Sequence, residues 1–308
     1  MYTEQYLPEG RRLHTQENIR LTADAAGLLT AAAEQTVLEG LAVRCDGDHN
    51  LFVELPCGEG MISRTEGAEG IAEGTTRDIA LLARVGKPVC FTVKQVIESD
   101  GRVQALLSRR AAQERCRHAF LSHLTAGDIL SARVTRLEPF GAFCDVGCGL
   151  SALLPIASLS VSRISHPADR VAVGEDIYAV VSSVENGRIC LSMRELLGMW
   201  EENAARFAAG DTVAGIVRSV ESYGVFVELA PNLAGLAERQ DGLAVGDYAG
   251  VYIKSILPDR MKIKLAIVDT TPPPIGRRPL PYTKTSGHIT RWDYAPIGAP
   301  KQIFSEFS

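Results

Sequence analysis

The sequence predicts an all-β protein of three tandem five-stranded barrels joined by linker helices. Three observations predict this fold class. The chain has 308 residues, which is enough for about two domains or more. One pattern recurs three times along it in the same order. Each copy consists of short runs rich in β-branched and aromatic residues, and Gly, Pro, Asp and Asn turn signals separate these runs.

The repeat centres on an element in which a ring and a phenylalanine stand three residues apart, at residues 49–52, 140–143 and 223–226. A valine lies nine residues before each phenylalanine, and an acid lies two residues after it. In chain order these residues are Val43, Val134 and Val217, then Glu54, Asp145 and Glu228. Each copy ends in a short apolar run, at 105–108, 189–192 and 263–266. We interpret these ordered matches as three copies of one folding unit.

Each copy holds about five strands in about 70 residues, which fits a small closed barrel better than an open sheet. The common solution at that size is the five-stranded oligonucleotide/oligosaccharide-binding (OB) barrel. Strict alternation would send Phe140 and Phe143 to opposite faces of a strand. Gly141 and Gly224 permit a bulge in the second strand. We therefore expect such a bulge to bring the two rings onto one face.

The segments between the barrels are predicted to be helices. The alanine-rich stretch from Asp24 to Gln35 predicts an N-terminal helix, and Ser192 with Glu195 forms a capping-box pair for the second linker. Trp200 lies on the apolar face of that linker, where we expect it to anchor the linker by packing. The predicted domains are a helical segment 1–35, a divergent barrel 36–107, a linker helix 108–125, a barrel 126–192, a linker helix 193–208, a barrel 209–269 and a tail 270–308.

The charge balance limits the ways in which this chain can bind nucleic acid. The formal net charge is −5 at pH 7, which argues against a general cationic clamp on phosphate backbones. It does not exclude nucleic acid, because bases can also be held by stacking. Aromatic residues make up only 6% of the chain, so their positions are informative.

The sequence lacks the motifs that are typical of disulfide-rich, metal-binding, enzymatic, secreted and membrane proteins. The seven cysteines are scattered without C-x-x-C spacing, which favours reduced core thiols over disulfides or a zinc site. The six histidines form no ligand spacing, so no metal and no cofactor is expected. No phosphate loop, H-E-x-x-H or G-x-S-x-G motif occurs, and we predict that the protein is not an enzyme. Neither a secretory signal nor an apolar run of about 18 residues is found, so a cytoplasmic protein without membrane contact is expected.

The middle copy, which contains FGAFCDVG and RICLS, resembles the S1 RNA-binding domain, the repeat of the bacterial ribosomal protein S1 family. The third copy, SYGVFVELAPNLAGLAE, resembles it well. The first copy is more divergent, with a long insertion between Arg64 and Val85. The chain as a whole resembles a short, three-repeat relative. The resemblance implies OB barrels that bind single-stranded RNA, messenger RNA in particular, with a role in translation and the small ribosomal subunit as a further partner.

In this family RNA lies on one barrel face against two aromatics, a histidine, and an aspartate and an arginine that flank the last strand. The aromatic positions correspond here to Phe140 and Phe143, Tyr223 and Phe226, and His49 and Phe52. The arginine position holds Arg188, Lys262 and Gln104, and the histidine position holds Pro155, Glu238 and Ser63. Glu185 is a candidate for the aspartate. Because Glu238 puts a negative charge on the path of the RNA, we expect weaker binding by the third copy.

Alternatives stay open at each of these positions. The rings can serve core packing, His49 can be a solvated turn residue, and Arg188 can be an ordinary surface charge. The tail combines basic residues with aromatics, so it either wraps the third barrel and buries Trp292 or binds RNA or a partner surface. The alternative to RNA binding is a scaffold that docks to the ribosome or another protein. The leading repeats of the family have such a docking role.

Overall fold

The computed structural model describes residues 6–99, 102–273 and 279–307, and most elements there are strands. The strands form three closed five-stranded barrels in succession along the chain. The predicted fold class is therefore confirmed. In the first and third barrels one strand pair is parallel and the other pairs are antiparallel.

The first barrel follows two helices and has the strand order β1-β2-β3-β5-β4. Its elements are α1 (Gln16–Thr22), α2 (Ala25–Glu34), β1 (Leu38–Cys45), β2 (Leu51–Leu55), β3 (Gly58–Ile62), α3 (Ile79–Leu82), β4 (Pro88–Ser99) and β5 (Arg102–Ser108). Alternation along β2 points Leu51, Val53 and Leu55 into the core and leaves Phe52 half-buried on the outside.

The second barrel has the order β10-β8-β7-β6-β9 and the third the order β11-β12-β13-β15-β14. The second comprises β6 (Ile129–Glu138), β7 (Gly141–Asp145), β8 (Ser151–Pro155), β9 (Asp176–Glu185) and β10 (Arg188–Ser192). The third comprises β11 (Thr212–Glu221), β12 (Gly224–Ala230), β13 (Leu233–Ala237), β14 (Tyr248–Leu257) and β15 (Lys262–Thr271). Val217, Val227 and Ile253 are fully buried in the third core.

The connecting helices agree only partly with those that the sequence predicts. Asp24 caps α2, and Ser108 caps α4 (Arg109–Ala119), close to the predicted positions. The predicted linker helix 193–208 is wrong. Ser192 ends β10, a 3₁₀ turn follows, and Gly198 adopts a φ of +83° that interrupts a helix. Only α5 (Trp200–Ala204) is α-helical, although Trp200 is 2% exposed and packs in the third core as expected.

By backbone contacts the chain divides into two compact units. The first contains the residues up to Leu124 with Ser131–Arg133 and Asp145–Ser151, and the second contains the remainder. Within the first unit the buried carboxylate of Glu9 accepts hydrogen bonds from Arg109 Nε at 2.7 Å and Nη2 at 3.1 Å. Burial opposes ionisation of Glu9, but Arg109 and Arg84 outweigh it and hold its pKa below the ordinary value.

Within the second unit a buried carboxylate holds two arginines. Glu228 Oε2 lies 2.8 Å from Arg170 Nη2 and 2.9 Å from Arg218 Nε, and all three side chains are 5% exposed. Arg218 Nη1 lies 3.3 Å from Asp169 as well. Such buried ion pairs are retained only where the partners neutralise one another.

The tail packs against the barrels of the second unit. Its hairpin, β16 (Arg291–Asp293) and β17 (Phe304–Glu306), buries Trp292, which is 7% exposed within the core cluster of the third barrel. Upstream, the ring of Tyr282 meets Tyr178 edge-on at 5.4 Å. Of the two expectations for the tail, wrapping with burial of Trp292 agrees with the structure. Positions 274–278, which hold two of the basic residues of the tail, lie outside the described residues.

No helix in the described parts of the chain combines the length and apolarity needed to cross a membrane. Within the same ranges, no group of three or more His, Cys, Asp or Glu side chains is placed to hold a metal ion.

Candidate nucleic-acid interface

Two barrels carry the same pair of outward-facing rings. In the second barrel Phe140 is 55% exposed and meets the half-buried Phe143 edge-on, with ring centroids 6.0 Å apart. In the third barrel Tyr223 is 66% exposed and meets Phe226 in the same way at 6.2 Å. We call each of these two combinations an aromatic pair. Both pairs lie outside the hydrophobic core, so core packing does not account for the exposed ring.

The aromatic pairs arise from a turn and not from the predicted bulge in the second strand. Phe140 and Tyr223 stand in the turn immediately before β7 and β12, and the phenylalanine points outward two residues into each strand. Gly224, between the rings, has a φ of +155°, and a Cβ there would lie 2.5 Å from the carbonyl oxygen of Ala237. The second strand β12 does contain a bulge, but it lies at Leu229, beyond the aromatic pair, and a further bulge lies at Arg218 of the first strand β11.

The outward side chains of the third barrel form a row across its strands. Phe226 pairs with Leu236 on the antiparallel strand β13, and Leu236 pairs with Lys264 on the parallel strand β15. Lys264 and Lys262 are exposed, and no ion pair within the described residues involves either of them. The row therefore joins an aromatic surface to two free positive charges.

Glu238, at the histidine position, does not stand alone on this face. Its Oε1 lies 2.8 Å from Lys254 Nζ, and the hydrogen bond and charge of Lys254 hold the pKa of Glu238 below its ordinary value. The negative charge that led us to expect weak binding is thus locally neutralised. The other two histidine positions, Pro155 and Ser63, end a strand and precede a 3₁₀ turn, respectively.

The second barrel has one arginine over its aromatic pair and another exposed at the start of its last strand. The guanidinium carbon of Arg136 lies 4.7 Å above the ring centroid of Phe143, and Arg136 also pairs with Glu138 at 3.2 Å. Arg188 is exposed at the start of β10, directly opposite Glu185 in the register of β9. Arg188 and Lys262 both begin the last strand of their barrels. Gln104, the corresponding residue of the first barrel, is exposed and uncharged.

The first barrel departs from this arrangement. His49 lies in a turn with a φ of +63°, where the other barrels have their most exposed ring. Phe52 is in contact with the guanidinium carbon of Arg44, which lies 3.5 Å from the ring centroid. The repeat pattern does not reveal Arg44 and Arg136, because Arg44 follows its repeat valine directly and Arg136 follows its own by two residues. The pairing of Arg44 with Phe52 across β1 and β2, and the contact of Arg136 with the ring of Phe143, reveal them.

The repeated acid does not belong to the interface. Glu228 and Asp145 are buried, and Asp145 accepts the backbone N–H of Glu9 at 2.7 Å and of Gly147 at 2.8 Å. Glu54, at the same repeat position, is exposed. The acid therefore stabilises the fold in two copies and is a surface residue in the first.

A closed five-stranded barrel with exposed rings and flanking cations is typical of OB-type domains, which bind single strands by base stacking. The comparisons with known proteins specify the class further. Residues 123–194 match the family model of the S1 RNA binding domain. The second barrel therefore matches the S1 domain, and the resemblance to the ribosomal protein S1 family is confirmed for this part of the chain.

Two curated relatives illustrate the similarity. Small ribosomal subunit protein bS1 of Staphylococcus haemolyticus is 34% identical over 118 residues, which are 36% of this chain and 29% of the relative. The bS1 homolog of Bacillus subtilis is 36% identical over 124 residues, or 38% of this chain and 32% of the relative. The match thus spans about a third of the length of these relatives.

Among solved structures, a multidomain protein with nucleic acid binding domains from Streptococcus pneumoniae covers 76% of this chain and 73% of its own. It is 15% identical, with a TM-score of 0.25.

Proposed function

We propose that the protein binds single-stranded RNA, messenger RNA in particular, by stacking bases on its aromatic pairs. The observation that carries the proposal is the recurrence of one geometry in two barrels, with centroid separations of 6.0 and 6.2 Å and the outer ring more than half exposed. The match to an RNA-binding domain model favours RNA as the ligand and a binding role over a catalytic one.

The contact residues belong to three faces of unequal character. The proposed set is Phe140, Phe143 and Arg188 in the second barrel, Tyr223, Phe226 and Lys262 in the third, and Phe52 in the first. For His49, also a candidate from the resemblance, we favour the alternative of a solvated turn residue, since its φ of +63° belongs to a turn. The second and third faces combine rings with exposed cations. We therefore assign most of the affinity to the barrels within 126–192 and 209–269.

Energetics favour joint action of the barrels. A base stacked on an aromatic side chain contributes about 1–3 kcal/mol, so one aromatic pair supplies about 2–6 kcal/mol. Micromolar affinity requires about 8 kcal/mol. When one face has bound an RNA, the effective local concentration of that RNA at the second, linked face is raised. The two faces together therefore bind the RNA with higher affinity than either face alone.

We further propose a role in translation, in the cytoplasm, with the small ribosomal subunit as a partner. The support is that the matched relatives are proteins of the small ribosomal subunit. Because the match covers about a third of those relatives, the association is a proposal about this chain and not a transfer of their whole function.

Fluorescence anisotropy with a labelled single-stranded RNA tests the proposal. The wild-type protein is expected to bind at near-physiological salt, and the Phe140→Ala/Tyr223→Ala variant is expected to lose about thirtyfold or more in affinity, since each of the two lost stacks is worth about 1–3 kcal/mol. Phe304→Ala is the matched control, because Phe304 is 47% exposed beneath Arg291 but belongs to the tail hairpin.

Each outcome of this assay has a distinct meaning. Equal losses in the control and the double variant would place the RNA on the tail and contradict the assignment to the barrels. Absence of wild-type binding at tens of micromolar, roughly the affinity that a single stacking face could supply, would favour the docking-scaffold alternative.

A further inference from the structure

We propose that the first barrel stacks an RNA base on the guanidinium plane of Arg44, with Phe52 as the support beneath it. His49 then takes no part in binding. The inference rests on the proposed RNA-binding function and specifies how the divergent barrel contributes to it.

The geometry of β1 and β2 places Arg44 between Phe52 and the solvent. Arg44 and Phe52 are direct register partners across the two antiparallel strands, and both side chains lie on the outer face. The guanidinium carbon is 3.5 Å from the ring centroid, which is the contact distance of stacked groups. One face of the Phe52 ring is thus already covered, and a base approaching that face meets Arg44 first.

The outer side of Arg44 faces solvent, and its charge acts on the nearby Asp46, whose pKa is held below its ordinary value by hydrogen bonds from Asn50 and, to a smaller extent, by Arg44. Arg44 is exposed, and no ion pair within the described residues involves it. The neighbouring Arg64, by contrast, is held by Asp78 with a separation of 2.7 Å between Nε and Oδ1. A planar, weakly hydrated cation with free N–H donors at its edge can stack on a base and also bond to a phosphate.

The guanidinium takes the place of a missing ring. The second and third barrels each supply two rings in edge-on contact, whereas the first supplies only Phe52. In the register of the third barrel the partner of Phe226 is Ser219, which provides neither a plane nor a charge. In the second barrel Arg136 also lies over its phenylalanine, Phe143, at 4.7 Å, but that barrel has the exposed ring of Phe140 as well. In the first barrel the guanidinium of Arg44 is the exposed planar group next to the phenylalanine.

His49 is held in a turn that serves the local fold. The backbone N–H of His49 donates to the carbonyl of Asp46 at 3.1 Å, and Asp46 also accepts the backbone N–H of Asn50 at 2.8 Å. The φ of +63° at His49 belongs to this tight turn. The position therefore has a structural explanation that needs no RNA contact.

Four full-length proteins test the proposal by anisotropy with one labelled single-stranded RNA that is long enough to contact several barrels: wild type, Arg44→Ala, Arg44→Lys and His49→Ala. We expect Arg44→Ala to weaken binding by about fivefold or more, as for loss of one stack. Arg44→Lys keeps the charge but loses the plane, so it is expected to show a similar loss. His49→Ala is expected to bind as the wild type does.

Three results would overturn the proposal. Tighter RNA binding by Arg44→Ala than by wild type would show that Arg44 merely covers Phe52. Wild-type affinity in Arg44→Lys would show that only the charge matters, and wild-type affinity in both variants would show that Arg44 does not contact the RNA. Thermal unfolding of each variant controls for folding. Photocrosslinking of a 4-thiouridine RNA to wild type, with peptide mapping to 38–55, is a second expected result that needs no substitution. If the wild-type protein does not bind RNA at all, the proposed function itself is contradicted. Failure of the proposed function is therefore distinguishable from failure of the proposal for Arg44.

Discussion

At the scale of single residues, Glu39 shows how burial and hydrogen bonding compete at one carboxyl group. Glu39 is 2% exposed, and its Oε2 accepts the backbone N–H groups of Gly10, Arg12 and Leu13 at 2.9 to 3.0 Å. These bonds favour the ionised form. Burial, joined by the charge of Glu9, opposes it more strongly and raises the pKa of Glu39 to about 7.

This pKa predicts a pH dependence of stability. The folded state keeps the proton of Glu39 up to about pH 7, whereas the unfolded chain releases it near 4.5. The folded state therefore binds more protons between these values, and its stability falls as pH rises, by at most about 1.4 kcal/mol per pH unit. Glu39→Gln is expected to flatten this slope in urea unfolding between pH 5 and 8 (roughly the window that the two pKa values define). The exposed Glu98→Gln serves as the control, and an unchanged slope in Glu39→Gln would contradict the assignment.

The repeated acid offers a second prediction at this scale. Glu228→Ala removes the shared partner of Arg170 and Arg218 and leaves two buried guanidinium groups without it. The expected loss in free energy of unfolding is about 3–5 kcal/mol. Glu54→Ala, at the same repeat position but exposed, is expected to change stability by less than about 0.5 kcal/mol. Chemical denaturation of both variants measures the contrast, and similar losses in the two would refute the structural role of Glu228.

At the scale of elements, β15 is the strand on which we propose that the third barrel contacts phosphates. Lys262 and Lys264 are exposed on this strand, and Lys264 lies beside the row that begins at Phe226. On single strands each phosphate contact contributes a slope of about −0.7 to the plot of log K against log salt.

Lys262→Gln/Lys264→Gln is therefore expected to reduce the magnitude of the salt slope by about 1.4 while leaving base stacking in place. Anisotropy titrations across a salt series measure this change. Lys284→Gln/Lys301→Gln is the matched control, with both lysines on the exposed surface of the tail. A larger change in the control than in the β15 variant would assign the phosphate contacts to the tail.

Elements also mark the limits of sequence reasoning. The strands and α4 follow from alternation and capping, which act locally. The structure of the linker after β10 does not follow from such local patterns. Its periodicity favours a helix, but Gly198 adopts a φ of +83° and interrupts it. The position of Arg44 above Phe52 likewise depends on pairing between strands, which no single-strand pattern specifies.

At the scale of the whole molecule, three repeats of one barrel were predictable because the same residues recur in the same order. The packing of the tail was not predictable from the sequence. Its composition allowed either packing or a partner surface, and the choice depends on whether the third barrel offers Trp292 a place in its core. The individual RNA contacts remain proposals, since they depend on a ligand that bridges separate faces.

A chain with a formal net charge of −5 can bind RNA on this account because it holds bases more than phosphates. The aromatic pairs supply the stacking surfaces, and a few exposed cations add to them. We therefore propose that the bases of the RNA, and not its phosphate backbone, contribute most of the affinity.

The most direct test compares an intact single-stranded RNA with an abasic RNA of the same length by competition anisotropy against the wild-type protein. The abasic strand keeps every phosphate and loses every stacking surface. Loss of four stacks at about 1–3 kcal/mol each predicts that it competes at least about a thousandfold more weakly. Competition within about threefold of the intact strand, roughly 0.7 kcal/mol, would contradict the account and assign the affinity to the backbone.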